Sequence, residues 1–178
     1  FFVTNITTAA NLFHALRRQL ALPFRKPLVN MSPKANLRHP RAASPVEDFT
    51  AGGFKEVIDD PNIKMASKVK RVLLCSGKVY FDLSEKQISE KRTDIAIVRL
   101  EQLYPLPEKQ LEALRKKYKS AEWVWVQEEP RNMGAYSFLK MNLADDFPLR
   151  FISRAPLAAS ATGFARLHAK EQQEIIEQ

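Results

Sequence analysis

Glu122-Trp123-Val124-Trp125-Val126-Gln127-Glu128-Glu129-Pro130, followed by Arg131-Asn132-Met133-Gly134-Ala135, is the stretch whose reading decides the fold. From Trp123 to Val126 every residue is aromatic or β-branched, so both faces of an extended chain are apolar. That is the pattern of a central strand covered by helices on each side. Such a strand requires a layered α/β domain around it. Gln127-Glu128-Glu129-Pro130 reads as its end, a polar loop in which Pro130 cannot donate to a ladder. Past Gly134, the residues Tyr136, Phe138, Leu139 and Leu143 predict a helix over about 135–145. Open α/β sheets meet ligands and partners at the carboxyl ends of their strands, which makes this loop the first candidate site.

Working outward, Val72-Leu73-Leu74-Cys75 and Ile95-Ala96-Ile97-Val98 are short apolar strands upstream, and 149–153 is a fourth downstream. Between them, Val79, Phe81 or Leu83, and Ile88 predict a helix ending near Lys91-Arg92. Leu111, Leu114 and Tyr118 predict another, entered through the rigid loop Leu103-Tyr104-Pro105-Leu106-Pro107. A last helix spans about 163–176, with Ala165, Leu167, His168, Gln172 and Ile175 on one face. The alternation predicts an α/β fold over residues 66–178: three layers, a mostly parallel sheet, and helices on both faces.

The front of the chain has a different composition. Thr7 or Thr8 can cap a helix whose stripe is Ala9, Leu12, Phe13, Leu16 and Leu20, ended by Pro23, with His14, Arg17 and Arg18 mainly off the stripe. Residues 27–31 read as a buried strand. Residues 32–65 read as a connector, containing a capping box at Ser44-Pro45-Val46-Glu47 in which Ser44 accepts from the Glu47 amide and opens a short helix. Arg38 and His39 lie in its turn-rich first half.

The net charge of +8 is unevenly distributed, since residues 1–44 carry seven bases and no acid while the rest is nearly balanced. The reading preferred for that basicity is a surface facing another part of a larger protein; a basic module binding nucleic acid or an acidic partner is the alternative from another class. Salt separates the two, because phosphate binding weakens steeply with added ions. No apolar run reaches the roughly 18 residues of a membrane span, so neither membrane nor nucleic acid is expected as a partner. Cys75 is the only cysteine, which excludes an internal disulfide. The chain opens with Phe1-Phe2-Val3 and is read as part of a longer one.

No constellation completes a catalytic site. Glu128 and Glu129 are neighbours on an extended chain and point in opposite directions, so they cannot share a proton or flank one bond. Their expected role is to favour the positive end of the following helix or to meet a basic surface. Cys75-Ser76-Gly77-Lys78 lacks the upstream glycine of a phosphate loop, and Ser76 lacks a nucleophile-elbow pattern. His14, His39 and His168 are far apart, without partners at metal-ligand spacing. Catalytic, cofactor-binding and metal residues are therefore expected to be absent from this chain.

Several ordered motifs carry a resemblance: Leu16-Arg17-Arg18-Gln19; Lys26-Pro27-Leu28-Val29 with Met31-Ser32-Pro33-Lys34 and Leu37-Arg38-His39-Pro40; Cys75-Ser76-Gly77-Lys78-Val79-Tyr80; Ala96-Ile97-Val98-Arg99-Leu100-Glu101-Gln102-Leu103-Tyr104-Pro105; and Gln127-Glu128-Glu129-Pro130 with Asn132 and Gly134-Ala135. Arg154-Ala155-Pro156 and the run from His168 to Ile175 continue it. Together, over nearly the whole chain, they resemble the C-terminal part of the thiamine-diphosphate-dependent first component of 2-oxoglutarate dehydrogenases. The resemblance implies a transketolase-like fold, in which residues 1–31 close the pyrimidine-binding domain, 32–65 connect, and 66–178 form the C-terminal domain. It implies a homodimeric parent that decarboxylates 2-oxoglutarate on thiamine diphosphate and magnesium and succinylates a lipoyl arm of the succinyltransferase component. The parent would be cytoplasmic in a bacterium and in the mitochondrial matrix in a eukaryote. A sister enzyme acting on 2-oxoadipate is the close alternative. No Gly-Asp-Gly followed by the magnesium-holding asparagine is present, so this piece is expected to support the dimer and border the active-site entrance, with Gln127, Glu128, Glu129, Arg38 and His39 as candidate interface or entrance residues. Some relatives have an acyl-CoA effector site here; Arg18 and Gln102 match it, while the basic pair expected after Leu106-Pro107 is Lys109-Gln110, which loses one bidentate guanidinium.

Overall fold

The computed structural model describes residues 1–143 and 147–178. A five-stranded sheet is built from β3 (Val57–Ile58), β4 (Arg71–Cys75), β5 (Ile95–Leu100), β6 (Glu122–Pro130) and β7 (Leu149–Arg154), in the order β3-β5-β4-β6-β7. The pairs β4·β5, β4·β6 and β6·β7 are parallel and β3·β5 is antiparallel. All four expected strands are present. β6 is interior, but the centre of the sheet is β4.

Alternation along each strand sorts the core into two layers. Val72, Leu74, Ala96, Val98, Trp123 and Trp125 face α4 (Glu108–Lys117) and α5 (Tyr136–Asn142), through Leu111, Tyr118 and Leu139. Cys75, Ile97, Val124, Val126 and Ile152 face α3 (Val79–Ser89) and α6 (Ala165–Glu177), through Val79, Phe81, Leu83 and Ile175. Trp125 is completely enclosed; burying an aromatic of this size is worth on the order of 5 kcal/mol of transfer free energy. The three-layer expectation holds. On α6 only Gln172 and Ile175 are buried and Leu167 is exposed, so the expected shared face is shorter than its spacing suggests. The last expected residues of the helix over 135–145 lie outside the described residues.

Three expectations about the sheet and its connector are corrected. β6 does not stop at Val126: it continues to Pro130, which pairs with Arg154 after a bulge that re-aims the strand between Val126 and Pro130. The proline is tolerated because the Arg154 carbonyl takes its ladder bond from the Arg131 amide instead. Residues 57–58, read as connector, add the antiparallel strand β3. Beyond Ile58 the same edge of β5 is closed by side chains: buried Asp60 accepts the Ile97 amide at 2.8 Å on Oδ2, and Gln87 Nε2 donates to the Ile95 carbonyl at 2.8 Å. An edge so sealed offers no template for another strand.

The capping box is the third. Residues Glu47–Thr50 do form a short helix, α2, but Val46 precedes it in helical conformation with no side-chain cap. Ser44 Oγ is turned instead to α1 (Ala9–Ala21), where it accepts the Ala10 amide at 3.1 Å. Thr8 accepts the Asn11 amide at 3.2 Å, so two orphan donors of α1 are capped, one by its own chain and one from 34 residues away.

The front of the chain is a β1-α1-β2 unit, in which β1 (Phe2–Thr4) pairs in parallel with β2 (Leu28–Asn30). β2 was expected to be buried, yet Val29 is exposed. α1 presents the reverse of its expected face. Ala10, Asn11, His14 and Ala15 are buried, whereas Leu16 and Leu20 of the apolar stripe are 48% and 75% exposed.

Candidate functional site at the carboxyl edge of the sheet

β4 is followed by a crossover to β5 on one side, and β6 pairs on its other side, so the topological switch point lies between the carboxyl ends of β4 and β6. Cys75-Ser76-Gly77-Lys78 and Gln127-Glu128-Glu129 meet there. The chain's own front segment occupies this edge. Gly77 has φ +69°, and a Cβ on it would come within 2.2 Å of Asn5 Nδ2, so glycine is required both by the turn and by the close approach of Asn5.

Next to Asn5, a buried polar seam joins α1 to the sheet. Arg99 Nη1 donates to Thr7 Oγ1 at 3.1 Å, and that hydroxyl donates to Glu101 Oε1. The Thr7 amide and Asn11 Nδ2 each donate to Glu101 Oε2 at 3.1 Å. Asn11 also exchanges two bonds with the Lys55 backbone, at 2.8 and 3.1 Å. Arg99 is 5% exposed, and its guanidinium lies 4.1 Å from the centre of the Tyr80 ring. Thus the charge of a buried arginine reaches Glu101 through one hydroxyl. Thr7, Asn11, Arg99, Glu101 and Lys55 were not legible as a site. The one available signal was a charge inside the otherwise apolar run Ile95 to Leu100.

Farther along α1, His14 Nε2 donates to the Asp48 carbonyl at 2.7 Å, which leaves Nδ1 to accept from Arg17 Nη1 at 3.2 Å. One turn on, Arg18 Nη1 donates to Gln102 Oε1 at 2.8 Å while its guanidinium stacks 4.0 Å from the Phe54 ring centre. The fold therefore brings the predicted pair Arg18 and Gln102 together. Lys109 is exposed in the first turn of α4.

The other predicted residues fall into separate environments. Gln127 is buried: it accepts from Trp125 Nε1 at 2.9 Å and its amide nitrogen is shared among the carbonyls of Glu129, Pro130 and Met133. It organises the loop from within. Glu128 meets Lys78 at 3.2 Å across the switch point, not the basic front of the chain, and also accepts from Gln172. Glu129 is half-buried, and burial first, with the neighbouring Glu128 charge adding to it, holds its carboxyl above the usual range. No hydrogen bond joins the two acids among the described residues, in keeping with their opposite directions. Arg38 is exposed in a 3₁₀ turn, and His39 accepts the Arg41 amide and packs its ring 4.6 Å from that of Phe81.

At the far end of this edge, Arg154 is a second buried hub. It donates to Gln172, His168 and Thr162 and pairs with Glu171 at 3.3 Å. Cys75 is fully enclosed, and burial pushes its thiol up to about 12, which removes it from nucleophilic chemistry.

Most polar groups at this edge are bonded to one another within the chain. Of the carboxylates at this edge, Glu101 is engaged by Thr7 and Asn11 and Glu128 by Lys78, and among the described residues no cluster of three or more His, Cys, Asp or Glu is placed to hold a metal ion. The arrangement is that of a docking seam.

Comparison with known proteins adds the following. The profile of a family described as "2-oxoglutarate dehydrogenase C-terminal" matches residues 43–178. The chain is 46% identical to the 2-oxoglutarate dehydrogenase E1 component of Cupriavidus necator over 176 residues, covering 96% of this chain and 18% of that protein. It is 43% identical over 186 residues to the mitochondrial 2-oxoglutarate dehydrogenase of Caenorhabditis elegans, covering 99% and 18%. With a probable 2-oxoadipate dehydrogenase complex component E1 homolog of Dictyostelium discoideum it shares 41% identity over 183 residues, covering 99% and 20%. The chain thus spans about a fifth of the length of these relatives.

Proposed function

Because the chain belongs to the 2-oxoglutarate dehydrogenase C-terminal family, we propose that it is the C-terminal piece of the decarboxylating subunit of such an enzyme and that it supports the reaction without holding the reacting atoms. The parent decarboxylates 2-oxoglutarate on thiamine diphosphate with magnesium and passes the succinyl group to a lipoyl arm of the succinyltransferase component. It works as a homodimer, in the cytoplasm of a bacterium or in mitochondria. The cofactor supplies the carbanion chemistry when bound. Residues 66–178 then form a transketolase-like C-terminal domain, 32–65 the connector, and 1–31 the last βαβ unit of the pyrimidine-binding domain.

The observation that carries this reading is the inverted helix α1. Its polar stripe is held from outside the unit, Asn11 by Glu101 of the C-terminal domain and by Lys55 of the connector and His14 by Asp48 of the connector, while Leu16 and Leu20 face outward. A two-stranded parallel sheet is too small to stand by itself and needs cover on both faces. A unit with its polar side tied down and its apolar side open fits the end of a larger domain, which makes α1 the joint between that domain and this one.

The Arg18–Gln102 bond and the Phe54 stack supply part of an effector site for an acyl-CoA phosphate, with Lys109 as the remaining cation. The family match favours the dehydrogenase reading over a basic nucleic-acid module, and 2-oxoglutarate over 2-oxoadipate as substrate. The test is decarboxylation of both oxo acids, with thiamine diphosphate and magnesium supplied, by this chain and by one extended upstream through the parent gene. Activity only in the extended form, with the higher kcat/KM on 2-oxoglutarate, is expected. Turnover by the 178-residue chain would overturn the supporting role.

A further inference from the structure

Val72 and Leu74, on the α4/α5 face of the central strand β4, are fully buried, whereas Leu73 between them, on the α3/α6 face, is only partly so. A residue in the middle of a sheet with helices on both sides is expected to be sealed on both. The cause is a cavity of about 170 Å³ between the sheet and the carboxyl ends of α3 and α6. Its walls include Leu73, Leu83, Ile97, Val126, Ile152 and Ile175. Arg71 and Ile95, which open β4 and β5, place it at the amino edge of the sheet, opposite the switch point.

Two features of the lining decide what chemistry it accepts. Inside, no polar group asks for a partner: Gln87 Nε2 donates to Asp60 and to the Ile95 carbonyl, and its Oε1 accepts from Asn62 at 3.1 Å. Among the described residues the buried side-chain atoms without a partner are Arg99 Nε and Arg154 Nε, and neither lines this cavity. Ordered water, which needs several polar partners, has little to hold it there. At the mouth the cations are already engaged. Arg71 Nε pairs with Glu122 at 2.8 Å, Arg92 Nε with Asp94 at 2.7 Å, and Lys86 Nζ lies 3.9 Å from Glu90. Arg71 and Lys86 also donate to the backbone oxygens of Gln178 and Ile176, at 3.3 and 3.2 Å, which ties the end of α6 across the opening. An anionic head would have to break one of these bonds beside Glu90 and Glu177, and a cationic one would meet Arg71, Lys86 and Arg92.

We propose that this cavity is a binding site for one small uncharged apolar molecule, an aromatic ring or short branched alkyl body. A cavity of about 150 Å³ walled by Leu, Ile and Phe holds benzene, and this one is slightly larger. Such a ligand covers Leu73 and Ile95, the two strand residues that the helices leave partly open. The site stands apart from the docking seam and does not depend on the parent's activity.

The test is titration calorimetry of the full-length polypeptide with toluene and, separately, with benzoate, a ring of the same size that carries a charge. Toluene is expected to bind saturably, one molecule per chain, and benzoate about tenfold more weakly or not at all, because its carboxylate finds no unpaired cation. Leu73→Phe, and in a second protein Ile95→Phe, fill the cavity from its own wall and should weaken toluene binding by about tenfold or more, with the cooperative unfolding transition retained. Either variant decides the matter if the other does not fold. No saturable toluene binding, benzoate bound as tightly as toluene, or unchanged toluene binding in a folded variant would overturn the proposal.

Discussion

The Thr7 hydroxyl accepts from the Arg99 guanidinium at 3.1 Å, and through that single group a charge buried at the end of β5 is tied to the start of α1. Arg99 lies 92 residues from Thr7, so the contact fixes the angle at which the front of the chain meets the sheet.

Replacing the hydroxyl by a methyl group of equal volume, Thr7→Val, leaves Arg99 and Glu101 each short of a partner in a closed site. The expected cost is about 1–3 kcal/mol of unfolding free energy, read as a lower denaturation midpoint at unchanged m. Thr7→Ser should recover most of it. Equal stability of all three proteins would show that the seam carries no weight.

Gln127 and Gly134 are a second coupled pair. Gly134 has φ +64°, and a Cβ there would lie 3.0 Å from Gln127 Nε2. Gln127→Leu strands the Trp125 Nε1 hydrogen and the loop carbonyls, so a loss of about 1–3 kcal/mol and a shifted tryptophan emission spectrum are expected. Gly134→Ala should also lower the melting temperature, since it combines a strained φ with the close contact. An unchanged melting temperature for Gln127→Leu would show that these bonds do not hold the loop.

Glu129 gives a pH dependence with a definite sign. Burial raises its value in the folded state, so the folded chain holds this proton more tightly than the unfolded one. Its contribution to stability is therefore greatest below the unfolded value, declines as pH rises from there through the raised folded value, and is constant above it. Glu129→Gln removes that dependence. The variant should gain on the parent protein as pH is raised across the window and keep the gain at neutral pH, as measured by denaturant unfolding of both proteins at each pH. A difference that shrinks with rising pH would mean that Arg154 and Lys78, not burial, govern the carboxyl.

Alternation and spacing by themselves determined the three-layer body. Val72 to Cys75, Ile95 to Val98 and Trp123 to Val126 are apolar on both faces, and that pattern admits only interior strands between helices, whatever lies elsewhere. The motif run from Leu16 to Ile175 likewise fixed the family. Local chemistry could not say which partner a polar group would choose. Ser44 sits at capping-box spacing from Glu47 but takes the Ala10 amide, because tertiary packing brings a better-placed orphan donor to it. Asp60, read as part of a connector, became the seal of an open strand edge. The face of α1 was decided against its own hydrophobic pattern: periodicity reports which side is apolar, and only the bonds from Glu101, Lys55 and Asp48 decide that Asn11 and His14 turn inward. The physical reason is range. Burial patterns repeat within a few residues and can be read along the chain, whereas hydrogen-bond partners 34 to 94 residues apart meet only once the chain has folded.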